Sequence, residues 1–222
     1  MSAHTKQTPA EDEIEVLLID FSSVKQVGDD SNPDVVLISE ADGFFLNTSV
    51  ADDFRIRKTV YDMMKAAQKK LPANYNFMVF EAYRPLARQV MLWNKVAAMV
   101  KEKYPDATPE EARAINETYT ADPFNGIGSG HQACCAIDIS LCDDNGVPYD
   151  MGTGMHEFNP MTKTLSDRIS RDAKKNRAIL VEALESEGLI NYPAEWWHFS
   201  YGDHQWAYLL GKSECPYGPI DI

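Results

Sequence analysis

Three short stretches of this 222-residue chain bring metal-ligating, proton-carrying and anion-holding residue types within a few positions of one another. The first is the glycine-punctuated loop Gly126-Ile-Gly-Ser-Gly-His131 and the segment Cys134–Leu141 that follows it. That segment alternates as a strand does, with Cys135, Ile137, Ile139 and Leu141 on one face and Asp138 on the other beside Cys134, Ala136 and Ser140. Small neighbours predict an open floor beside the carboxylate, over which a loop histidine could fold to share an ion. On its own such a pair more often makes a hydrogen bond or a solvated surface. The second stretch is Glu195-Trp196-Trp197-His198. Its ends fall on opposite faces of a regular strand, so only a helical turn or an irregular strand end can bring Glu195 and His198 to one site. The tryptophans would then wall that site and strengthen its electrostatics, whereas a plain aromatic ladder with a hydrogen-bonded histidine is the alternative. The third stretch is Phe80-Glu-Ala-Tyr-Arg-Pro85, where Arg84 stands at a strand-to-helix junction and offers a fixed planar fork for a carboxylate or oxyanion.

In chain order the set reads Arg84, Ser129-x-His131 with Asp138, and Glu195-x-x-His198, and in that order it resembles the VanX-like zinc D-alanyl-D-alanine dipeptidases. Met151-Gly152-Thr153 and the run Glu195–Tyr208 extend the resemblance, which covers the chain from about residue 50 onward. It implies one Zn2+ per chain held by His131, Asp138 and His198, with the fourth tetrahedral position open as in catalytic zinc sites. It further implies Glu195 as general base, Arg84 as the group that steadies the transition state, and Ser129 among the substrate-binding residues. The implied fold is α+β, a small antiparallel sheet flanked by helices as in the hedgehog/D,D-peptidase group.

Two positions depart from the family pattern. The glycine of SxHxxGxAxD is Cys134, whose side chain is expected to narrow the site or approach the metal. The aspartate of MGTxFD, which in the family receives the substrate amino group, is His156, with Glu157 beside it as a possible substitute. Ser22-Ser-Val-Lys25 matches the SxxK of serine D,D-peptidases but has no SxN or KTG partner. His4 and His204 have no ligand-spaced partners, and His204 is expected on an exposed turn.

Elements able to position these residues can be read from periodicity. Val60, Met63, Met64, Ala67 and Leu71 predict an amphipathic helix over about 53–71, stopped by Pro72. Pro85 at a helix N1 position and the stripe Leu86, Val90, Trp93, Ala97 and Val100 predict a second, reaching towards Tyr104. Thr108-Pro109-Glu110-Glu111 is a capping box that opens a third, and a fourth runs from about Arg171 to Glu187 with Gly188 as its C-terminal cap. Strands are expected at Ile14–Phe21, Val35–Ile38, Phe77–Ala82, Cys134–Leu141 and Trp196–Phe199. This irregular order lacks βαβ alternation, which also favours α+β with a largely antiparallel sheet. No repeat or linker divides the chain, so 1–222 is expected to be a single domain with about 1–12 as a frayed tail.

Composition sets the outer limits. Hydrophobic residues at 44% and charged residues at 25% are those of an ordinary globular protein, and no apolar run approaches a membrane span. Thirty-four acidic against 21 basic residues give a net charge of −13, which repels nucleic acid and anionic lipid. No basic start with an apolar core opens the chain, so the expected compartment is cytoplasmic. Four cysteines without a CxxC pair predict reduced, buried thiols. The expected activity is hydrolysis of a small peptide, D-alanyl-D-alanine first. A zinc-bearing binding or signalling module and a carboxypeptidase on longer cell-wall peptides are the alternatives. Retention of Glu195 and Arg84 favours an enzyme, because a structural zinc needs neither base nor oxyanion clamp.

Overall fold

Strand β6, Ala136–Cys142, is buried along its whole length and runs through the middle of a sheet in the order β3-β5-β6-β8-β7. This arrangement comes from a computed structural model that describes residues 21–28, 30–157 and 159–222. β5 is Asn76–Glu81, β7 is Ile190–Asn191 and β8 is His198–Ser200, all paired antiparallel. β3, Phe45–Leu46, adds a short parallel edge. The expected α+β class with a largely antiparallel sheet is what the chain forms.

The apolar face of β6 explains why the sheet folds where it does. Ile137, Ile139 and Leu141 join Phe77, Val79 and Phe199 in the main core, with Val60, Met64 and Ala67 of helix α1 (Lys58–Gln68) and Leu180, Ala183 and Leu184 of α4 (Arg171–Glu185). Such apolar burial is the main favourable term in folding. Helix α2 (Leu86–Lys103) packs on α3 (Pro109–Glu117) through a separate cluster of Val96, Val100, Tyr104 and Ile115. The capping box forms as the sequence predicts: Thr108 Oγ1 accepts from Glu111 N, and Glu111 Oε2 accepts from Thr108 N at 2.8 Å.

Boundaries shift for local reasons. Helix α1 starts at Lys58 rather than near 53, because Arg55–Arg57 is captured as strand β4 by Val35–Leu37, strand β2. Pro85 is the N-cap of α2 rather than its first turn. α4 ends two residues early at Glu185, and Gly188 follows at φ 100°, its N–H returning to Glu185 O. The strand expected at 134–141 begins at Ala136, and that at 196–199 begins at His198. The expected frayed tail, His4 and most of the Ile14–Phe21 strand lie outside the described residues; Phe21 itself opens a 3-10 turn, Phe21–Ser23. Strand β1, Lys25–Gln26, which carries the lysine of the SxxK match, pairs in parallel with β9, Glu214–Cys215. His204 is half-buried as the first residue of α5 (His204–Leu209), not on an exposed turn. All four cysteines are unpaired and buried. No described helix is long and apolar enough to cross a membrane.

Candidate metal centre and active site

The sheet register places the first polar residues side by side. β5 and β6 pair as Val79↔Ile139 and next as Glu81↔Asp138, so Phe80 is an extra residue in the ladder. This bulge sets Glu81 opposite Asp138, where an unbroken register would have set Phe80. On the other side Asp138 pairs with His198. Glu81, Asp138 and His198 therefore form one row across three central strands.

The loop histidine comes down on this row. His131 Nδ1 lies 2.8 Å from Ala82 O, an acceptor, so Nδ1 carries the proton and Nε2 keeps its lone pair. That Nε2 is buried with no hydrogen-bond partner among the described residues, 3.3 Å from Asp138 Oδ1. His198 Nδ1 approaches the same oxygen at 3.0 Å. Donor atoms of His131, Asp138 and His198 all lie within 4.8 Å of one another. A buried imidazole lone pair aimed at a carboxylate oxygen is poorly used by the protein alone and is what a metal ion would satisfy.

Backbone contacts hold His131 in place. Arg84 N donates to its carbonyl at 3.2 Å, while Cys135 N and Ala136 N both reach Gly130 O. Ser129 Oγ accepts from Gln132 N at 3.1 Å and so shapes the turn that carries His131, besides lining the cleft. The expected open floor is not open: Ser140 is buried, and so is Ala136, against which Gly130 of the loop packs closely. A Cβ at Gly130 would strike the Asp203 carboxylate and come within 2.8 Å of the Ala136 methyl. Gly130→Ala is thus expected to lift His131 and to destabilise the fold by about 1–3 kcal/mol, the usual cost of overpacking. Thermal unfolding with a zinc titration checks it, and unchanged values for both would show that the loop's close approach is not needed.

Glu195 and His198 meet through a turn, as their spacing requires. His198 N donates to Glu195 O and Glu195 N to Tyr192 O, so residues 192–198 coil before β8 begins. Asn191 Nδ2 locks this turn by donating to Glu195 O and His198 O, both at 3.1 Å. Two buried carboxylates here are pushed in opposite directions. Burial raises Asp138, but the attraction of His131 and the hydrogen bonds from His156 and His198 overcome it and hold the group well below the usual range. Burial raises Glu195, and the nearby histidines and Arg84 only partly offset it. Asp138 thereby favours its anionic form, whereas Glu195 is pushed towards its protonated one.

Arg84 stands over the same cleft, of about 870 Å³, which His131, Asp138, His156, Glu195 and His198 also line. Its guanidinium pairs with Glu81, donates to Gln89 Oε1 at 2.9 Å and lies 3.8 Å from Asp138 Oδ2. Gln89 in turn donates to Thr120 Oγ1 and Ala121 O. Glu81, fully buried between Arg84 and Arg88, is a supporting residue the sequence reading did not pick out. Its one sequence signal is a carboxylate three positions before Arg84 at the end of an apolar strand.

Cys134 does not narrow the site. It adopts φ 53°, a left-handed conformation that accounts for glycine at this place in the family pattern, and its side chain packs with Tyr83 and Ile220. Burial there pushes its thiol up to about 12, the reverse of a metal-binding thiolate. Glu157 also lines the cleft, and its carboxylate accepts from Gly154 N at 2.8 Å and Asn159 Nδ2 at 3.0 Å. His156, expected at the substrate amino group, instead points its Nε2 at Asp138 Oδ2, 3.1 Å away.

Chemistry of this kind, a site for an electrophilic ion beside a proton carrier, is that of the metal-dependent hydrolases. Residues 40–212 match the family model of the D-ala-D-ala dipeptidases, peptidase M15, and the chain belongs to this metallopeptidase family. It is 31% identical over 171 residues to a D-alanyl-D-alanine dipeptidase of Synechocystis sp. (strain PCC 6803), covering 68% of this chain and 69% of the relative. A D-alanyl-D-alanine dipeptidase of Escherichia coli K12 is 29% identical over 122 residues, 55% of this chain and 53% of its own length. One of Enterococcus faecalis V583 is 27% identical over 169 residues, 73% and 78% respectively. Among solved structures, a mutant VanY D,D-pentapeptidase in complex with Zn(II) superposes with a TM-score of 0.47 at 19% identity, over 89% of this chain and 97% of that one.

Proposed function

We propose that the chain is a zinc-dependent dipeptidase acting on D-alanyl-D-alanine or a closely related small peptide. The observation that carries this reading is the convergence of three metal-donor side chains, Glu195 and Arg84 on one cleft. His131, Asp138 and His198 would hold the ion, and zinc bound there would supply the Lewis acidity that makes water a nucleophile near neutral pH. Glu195 takes the proton that the attacking water loses and delivers it to the leaving amine. Arg84, fixed by Glu81 and Gln89, presents N–H donors to the oxyanion that develops on the substrate carbonyl. The two tryptophans beside Glu195 are buried and keep bulk water from that side. Incubation with D-alanyl-D-alanine should release alanine in proportion to bound zinc and stop when a chelator removes it. Zinc-replete protein that releases none would favour a binding module.

The substrate's amino end is expected to be weakly specified. Glu157 is occupied by Gly154 and Asn159, and His156 faces Asp138, so neither presents a free carboxylate to an ammonium. A charge-assisted bond is worth roughly 1.5–3 kcal/mol, about ten- to a hundredfold in specificity. The kcat/KM ratio of D-alanyl-D-alanine to its N-acetyl derivative should therefore stay below about tenfold, and His156→Asp should raise it at saturating zinc. A strong preference for the free amine that disappears in Glu157→Gln would show that Glu157 swings over to hold it.

A further inference from the structure

We propose that His156 is a positioning residue for the metal-binding carboxylate: its Nε2–H donates to Asp138 Oδ2 and so presents Oδ1 to the ion. The carboxylate's two oxygens are divided between two sets of partners. Oδ1 faces the metal-site nitrogens, His198 Nδ1 at 3.0 Å and His131 Nε2 at 3.3 Å. Oδ2 faces His156 Nε2 at 3.1 Å, and the nearest guanidinium nitrogen, Arg84 Nη2, is beyond hydrogen-bond range at 3.8 Å. Without His156 the buried Oδ2 would have no short side-chain donor among the described residues, and the carboxylate could turn towards Arg84 and away from the ion.

The loop that carries His156 is built to hold it there. His156 itself adopts φ 56°, a conformation L side chains seldom take unless their surroundings impose it. Arg177 ties the two flanks of the loop, donating to Met151 O and Lys163 O, each at 2.7 Å. Trp196 Nε1 donates to Thr153 Oγ1 at 2.9 Å, and Glu157 closes the turn on Gly154 N. The imidazole stands edge-on to Trp197, with ring centroids 5.6 Å apart.

Glu81, Asp138 and His156 also have donor atoms close enough to suggest a second cation. Arg84 argues against it, because its guanidinium pairs with Glu81 and already puts a positive charge beside Asp138 Oδ2. The imidazole N–H meets that oxygen with a directed hydrogen bond. Outer hydrogen bonds of this kind orient metal ligands, and losing one typically costs 10–100-fold in metal affinity.

The inference rests on the zinc site proposed above but not on hydrolysis, so zinc affinity tests it apart from activity. Chelator competition on the holoprotein should give one zinc per chain, with Kd raised about 10–100-fold in His156→Ala. His156→Gln, which keeps an N–H donor of similar reach, should recover most of the loss. The side chain is 38% exposed, so its truncation spares the core. An unchanged Kd in His156→Ala overturns the proposal. So does a Gln variant as weak as Ala, or a stoichiometry of two that falls to one in His156→Ala, since either makes the imidazole a ligand itself. Wild-type protein that binds no zinc overturns both this inference and the zinc reading. Protein that shows the expected zinc pattern yet hydrolyses no dipeptide overturns only the proposed function.

Discussion

Asp138→Ala is expected to yield folded protein that no longer retains stoichiometric zinc. Asp138 is the centre of the cluster: His131, His198 and His156 all reach it, and Arg84 lies 3.8 Å away. Its removal deletes the single anionic ligand, leaving two imidazoles close together, 4.9 Å between ring centroids, with no negative charge between them. The affinity loss must exceed the roughly 10–100-fold that follows from losing an outer hydrogen bond alone. His198→Ala removes a neutral donor and should act the same way. His131→Ala should also lose zinc, because the lone pair that Ala82 O directs towards the site disappears. Elemental analysis after dialysis reads all three, and full occupancy in any one removes that residue from the ligand set. Metal loss should also abolish peptide hydrolysis, so the two assays must fall together.

How much of this centre could be read from sequence depends on whether residues were near in the chain or brought together by pairing. Glu195 and His198 are three apart, and the requirement for a turn between them followed from strand geometry alone; the chain meets it with hydrogen bonds from His198 N to Glu195 O and from Asn191. Asp138's facing followed from alternation along β6. Glu81 did not emerge, because its place beside Asp138 depends on a one-residue bulge at Phe80, and a bulge leaves no reliable mark in composition. The fate of His156 was equally hidden. Its identity as an imidazole suggests a poor amine anchor, but its orientation towards Asp138 goes with a left-handed backbone that the motif does not reveal. Cys134 differs for a related reason: the strand pattern puts its side chain at the site, whereas its left-handed backbone turns the thiol towards Tyr83 and Ile220. Helix α1 lost its first residues to strand β4, where long-range pairing overrode a local amphipathic pattern.

Glu195→Gln is expected to separate the chemistry from the metal. The amide keeps the size and polarity of the carboxylate but cannot take a proton, so kcat should fall by about 100- to 10,000-fold while zinc remains bound. The environment favours this role. Burial raises the Glu195 carboxyl above its ordinary value, while the histidines hold that of Asp138 beside it below its own. KM should change little, since the lost function acts in the transition state and not in ground-state binding. Arg84→Lys gives the companion measurement. The guanidinium meets Glu81 and Gln89 at once and stands close to Asp138, a set of directions that a single ammonium cannot reproduce. Its loss should lower kcat/KM by more than about tenfold, again with zinc retained. Single-turnover assays on zinc-replete protein check both variants. Wild-type turnover in Glu195→Gln would end the proposed mechanism, and a variant that loses zinc along with activity would make Glu195 part of the metal site and not its base.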